Sequence, residues 1–66
     1  MDRKQAIEYM KMGLKLTHRF FTPNEWVSLN RSGQIVTEEG LLIHSEEFWS
    51  VRESSLWNKD WSVWNG

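Results

Sequence analysis

Hydrophobic and polar positions change rhythm along this chain, and the changes mark its elements. Ala6, Ile7 and Met10 fall on one helical face while Lys4, Glu8 and Lys11 point elsewhere. Asp2 followed by Gln5 has the spacing of a capping box, and Gly13 stands where a residue of positive φ ends a helix. A helix over about residues 3–12 is predicted. Beyond Gly13 the period drops to two, with Leu14, Leu16, His18 and Phe20 alternating with Lys15, Thr17, Arg19 and Phe21. Turn chemistry at Pro23-Asn24, Asn30–Gly33 and Glu38–Gly40 divides the middle of the chain into short apolar runs. Strands are expected over about residues 14–21, 25–29, 34–37, 41–44, 46–52 and 61–64. The segment 46–52 admits two readings. Ser45 before two glutamates can open a helix, but Trp49 and Val51 alternate with Phe48, Ser50 and Arg52, which favours a strand. Ser54–Asn58 reads as one helical turn. The expected fold is α+β: a short N-terminal helix followed by a small curled antiparallel sheet, as one domain over residues 1–66.

Length sharpens this picture. A chain of 66 residues supports one core, and such a core rarely supplies more than about 3–5 kcal/mol. There is no cysteine, so no disulfide or thiolate metal site reinforces it. The chain instead carries five Trp, three Phe and one Tyr. Each such side chain buries roughly 150–250 Å², too much for all nine to be enclosed in one small protomer. The surplus is expected in an interface, a ligand pocket, or both, and self-association into a homo-oligomer is the expected route to stability.

Charge narrows the partners. Eight basic and nine acidic residues, a net −1, are mixed along the chain, without the basic stripe of a nucleic-acid polymer binder. The longest apolar run near the middle is Leu41-Leu42-Ile43, too short to span a membrane, and the N-terminal residues lack an apolar signal core. No nucleic-acid polymer or membrane partner is expected, and the cytoplasm is the expected compartment.

Catalytic patterns are sparse. His18 and His44 do not stand at ligand spacing on a helix. Glu38-Glu39 and Glu46-Glu47 are adjacent pairs, and in a strand adjacent side chains point to opposite faces, so neither pair shares a proton. No serine elbow or glycine-rich phosphate loop is present. The reading is a non-enzymatic binding protein with neither cofactor nor metal.

The aromatic clusters carry the binding chemistry. They are His18-Arg19-Phe20-Phe21, Phe48-Trp49 with Arg52, and Trp57 with Asp60-Trp61 and Trp64. Aromatic faces stack on flat rings, and arginine clamps phosphate. That combination suits a small nucleotide, which needs only one or two arginines. It suits a protein interface equally well.

A family resemblance bears on the choice between these uses. Ala6-Ile7-Glu8, Lys11, Gly13, Lys15-Leu16-Thr17 and Phe21, then Trp26-Val27, Trp49 and the run Leu56–Trp61 resemble a family of small phage proteins, the cyclic-nucleotide sponges of the anti-Thoeris type. In place of that family's tryptophan after the first strand, this chain has Phe21. The layout is also similar to that of uncharacterised small phage proteins. The sponge resemblance implies a phage-encoded homo-oligomer, acting in the host cytoplasm, that sequesters a cyclic or ADP-ribose-derived signalling nucleotide at subunit boundaries. On the matching positions it implies ligand roles for Phe21, Trp26, Trp49, Asp60 and Trp61. Chemistry alone adds His18, Arg19 and Arg52 as phosphate partners. Asp60 has a competing role in turning the chain into the last strand, and Trp61 a competing place in the core. The alternative function is a small phage inhibitor or adaptor that docks on a host protein through exposed aromatics.

Overall fold

The computed structural model describes all 66 residues. Helix α1 spans Arg3–Lys11 and opens on the capping box: Gln5 N–H donates to Asp2 Oδ1 at 2.8 Å, and Asp2 N–H donates to Gln5 Oε1 at 3.0 Å. Two of the helix's orphan amides are thereby satisfied. Gly13 follows with φ 88°, a left-handed conformation that glycine adopts without a Cβ clash. Four short strands then run as a meander: β1 Leu16–His18, β2 Val27–Leu29, β3 Gln34–Thr37 and β4 Leu42–His44. Helix α2 (Ser45–Ser50) and a 3-10 turn (Ser55–Asn58) carry the chain back to β5, Trp61–Val63, beside β1. The sheet order is β4-β3-β2-β1-β5, with every neighbouring pair antiparallel.

Register assigns each side chain to a face. Leu16 stands opposite Val27 and Val63, Leu29 opposite Ile35, Ile35 opposite Ile43, and His18 opposite Trp61. The helices cover that face: Ala6 and Met10 of α1, and Phe48 and Trp49 of α2, join Leu16, Val27, Ile35 and Trp61 in one buried core. Each large side chain enclosed there contributes about 1.5–3 kcal/mol. The other face carries Thr17 opposite Ser62, and Ser28 opposite Val36, which pairs in turn with Leu42. No helix packs on it. No helix is long and apolar enough to cross a membrane.

The α+β class, with an open antiparallel sheet, is as the sequence predicts. Two expectations are corrected. Segment 46–52 is not a strand: Ser45–Ser50 is helical, with the chain turning at Val51 and Arg52 N–H donating to Trp49 O at 2.9 Å. Adjacent Phe48 and Trp49 both face the core, whereas Val51 is 74% exposed, so the apparent alternation follows no buried face. The first strand is three residues, not eight. Leu14 N–H is bound to Tyr9 O at 3.2 Å, behind the helix, and Phe21 N–H to His18 O at 2.9 Å, in a turn. Local bonds at both ends take the backbone groups that a longer strand would use.

Candidate functional site

Four of the nine aromatics, Phe20, Phe21, Trp57 and Trp61, converge on His18. Its ring lies 4.4 Å from Trp57, 4.8 Å from Trp61 and 5.1 Å from Phe20, centroid to centroid. Trp49 stands 5.5 Å from Trp61, extending the cluster toward α2. His18 is only 3% exposed, and its polar atoms are fully engaged. Nε2–H donates to the carbonyl oxygens of Lys59 at 2.7 Å and Leu56 at 3.2 Å, while Nδ1 accepts from Phe20 N–H at 3.1 Å. Carbonyls only accept and an amide only donates, so these partners define the tautomer. The imidazole thus staples the 3-10 turn and the following residues onto β1. Trp61 is likewise closed, its Nε1–H donating to Trp57 O at 2.7 Å. The sequence places both residues near a ligand. Here they are interior, with no free polar atom to offer one.

Asp60 turns the chain. Its φ of 65° makes it the one non-glycine residue in the left-handed region, which Asp tolerates better than most residues. Its carbonyl accepts from Arg19 N–H at 3.3 Å, and its carboxylate lies 3.8 Å from the Arg19 guanidinium on the exposed surface. Asp60 and Arg19 are therefore engaged with each other, and their backbones set the entry to β5.

A different environment lies where the β1–β2 and β3–β4 connections meet α2. A slot of about 130 Å³ is lined there by Phe21, Glu25, Val27, Ile43, Phe48 and Arg52, with Glu38, Glu39 and Leu41 at its rim. The Arg52 guanidinium stacks 4.0 Å from the Phe48 ring centroid and 5.1 Å from that of Trp57. Its Nη1 donates to Phe48 O at 2.9 Å, but its buried Nε finds no protein acceptor. The only ion pairs in the molecule are Lys11–Glu8 and Arg19–Asp60, so Arg52 is a partly buried cation without one. Burial pulls its pKa below the ordinary arginine value, with the Glu25 carboxylate opposing that shift. Glu25 is held in place by Thr22 N–H, which donates to Oε1 at 2.9 Å.

Of the eight residues expected to bind a ligand, the slot gathers Phe21, Arg52 and part of Trp26. The Trp26 ring belongs elsewhere. It lies 6.0 Å from Trp64, with the Lys15 ammonium 4.5 Å above it, on the sheet face that no helix covers. Trp49 is buried under α2, its ring 4.5 Å from the Arg3 guanidinium and its indole N–H without an acceptor. Glu25 and Phe48 are slot residues that sequence reasoning missed. The spacing of Phe48 and Arg52, four residues apart, carries a signal for the second once the segment is read as helical. No three His, Asp or Glu side chains converge closely enough to hold a metal ion. Comparison with protein-family models, curated proteins and solved structures finds no match to this chain.

Proposed function

We propose that the protein is a non-enzymatic binder of a small nucleotide, which it holds by inserting the base into the Arg52 slot. The observation that carries this reading is the guanidinium of Arg52, stacked between Phe48 and Trp57, lacking an ion pair, and facing an aromatic-walled space of about 130 Å³. A cavity of about 150 Å³ accepts one benzene ring, whereas whole drug-sized ligands need about 300–1,000 Å³. The slot is therefore the size of one ring system. A nucleobase edge presents both donors and acceptors, and the slot offers the complement of each: Arg52 donates and Glu25 accepts. The slot has room for one ring system only, so the sugar and phosphates stay outside it, directed away from Glu38 and Glu39.

That geometry leaves most of a nucleotide uncovered by one protomer. A second copy enclosing it fits the homo-oligomer that the sponge resemblance implies, and Trp26 and Leu41 both offer apolar surface beside the slot. In this reading the protein acts in the cytoplasm of a phage-infected cell, withdrawing a cyclic or ADP-ribose-derived signal without cleaving it. Native mass spectrometry with a panel of cyclic dinucleotides and ADP-ribose derivatives tests it. The expected result is a discrete oligomer that gains the intact mass of one class of nucleotide and loses it on heating. An Arg52→Gln variant should bind at least tenfold more weakly, about 1.4 kcal/mol. A protein that takes up nothing from the panel overturns the reading.

A further inference from the structure

The two edges of the sheet are finished differently. On β5 the ladder turns Asp60 and Trp64 toward β1, since Arg19 N–H donates to Asp60 O and Trp64 N–H to Lys15 O. The N–H and C=O of Trp61 therefore point away from β1, while its side chain stays in the core, and Met1 occupies both groups. Trp61 N–H donates to Met1 O at 3.3 Å, and the Met1 nitrogen donates to Trp61 O at 2.9 Å. The groups of Val63 point the same way, so Met1 closes the Trp61 half of that edge.

The β4 edge is open. Thr37 N–H donates to Leu41 O at 3.0 Å, which makes Thr37/Leu41 and Ile35/Ile43 the bonded pairs of the β3–β4 ladder. By the same alternation, the N–H and C=O of Leu42 point away from the sheet. Exposed strand edges of this kind are templates for another strand. Apolar surface flanks the open groups: Leu41 and Leu42 are 57% and 56% exposed. Leu42 sits on the uncovered face of the sheet, and Leu41 on the rim of the slot. Residues 38–47 read EEGLLIHSEE, with no Lys or Arg. All four glutamates are exposed, and none forms an ion pair.

This charge pattern decides between occupants. Pairing β4 with its own copy brings the Glu38-Glu39 turn and the Glu46-Glu47 start of α2 of one copy close to those of the other in either strand direction, and like charges brought together are destabilising. An extended segment with apolar residues between Lys or Arg pairs meets the opposite condition at both ends. We propose that the β4 edge is a docking strand for such a basic, extended segment of a partner protein. The segment adds as a sixth strand, bonding to Leu42, with its alternate side chains packed on Leu41 and Leu42. This surface stands whether or not the slot takes a nucleotide.

The probe is the peptide acetyl-KKVTVTVTKK-amide, with the charge-reversed acetyl-EEVTVTVTEE-amide as control, titrated against labelled protein by NMR. The basic peptide should bind at least about tenfold more tightly than the acidic one. It should shift amides centred on Leu41–Ser45 and slow hydrogen exchange at Leu42 at least about tenfold. Raising ionic strength from about 0.05 to 0.5 M should weaken it severalfold, because these surface charges are screened. The Glu46→Gln/Glu47→Gln double variant should lower its affinity about tenfold or more. N-methylation tests strand addition without altering the protein. Of two peptides methylated on alternate amides, one should lose binding and the other retain it. Equal affinity for basic and acidic peptides, shifts elsewhere on the molecule, or binding by both methylated peptides would overturn the proposal.

Discussion

Two aromatic regions lie side by side under α2 and the 3-10 turn, and they differ in how their polar atoms end. At the centre of the first, around His18, the polar groups are closed: both imidazole nitrogens and the Trp61 indole bind backbone partners, and only the Trp49 indole N–H at its α2 end lacks one. Around Arg52 they are left open, with the guanidinium lacking an ion pair and its Nε lacking an acceptor. Buried polar groups cost stability unless paired. The closed region therefore reads as the fold's clamp, and the open one as the place where binding chemistry is kept in reserve. Residue type alone does not make this distinction, since both regions combine aromatics with one nitrogen-rich side chain.

The comparison breaks most readily at the clamp. Trp61→Ala should cost about 3–5 kcal/mol, as deletion of a buried large aromatic usually does. In a domain of this size that is most or all of the stability, so loss of the cooperative urea transition followed by circular dichroism is the expected outcome. His18→Phe keeps the ring volume but strands the carbonyls of Leu56 and Lys59 and the amide of Phe20. A destabilisation of about 2–3 kcal/mol should appear as a lower urea midpoint.

Arg52→Leu should behave in the opposite way. It removes a partly buried cation and one hydrogen bond while leaving apolar contact with Phe48 and Trp57. Its stability should stay within about 1 kcal/mol of the parent, while nucleotide affinity falls at least tenfold by isothermal titration. On the uncovered sheet face, Lys15→Gln should cost only about 0.5–1 kcal/mol, the worth of an exposed cation over the Trp26 ring. Smallest is Asp60→Gly. Glycine relieves the left-handed backbone and gives up an exposed ion pair worth about 0–1 kcal/mol. Thermal stability should change by less than about 1 kcal/mol, and ligand affinity should not change, separating a turn residue from a ligand partner.

Much of the fold is legible in the sequence because its signals are local. Asp2, Gln5 and Gly13 declare α1 by spacing alone, and short apolar runs between turn residues locate β2 to β5. What is hidden depends on distant parts of the chain. His18 looks like a phosphate partner until the carbonyls of Leu56 and Lys59, some forty residues on, arrive at its ring. Period-two alternation over 46–52 hides a second feature. It puts Phe48 and Arg52 on one strand face among alternating residues and conceals the one-turn spacing that stacks them. Glu25 carried no signal, because a lone glutamate before a tryptophan is ordinary until the slot forms around it.

The most direct test of the closed-versus-open account is a paired measurement on Arg52→Gln: the urea midpoint and the affinity for whichever nucleotide the parent protein retains. The account predicts a midpoint unchanged within about 1 kcal/mol of stability and an affinity lowered at least tenfold. A variant that binds as the parent does, or one that fails to fold, would place Arg52 in the scaffold and contradict it.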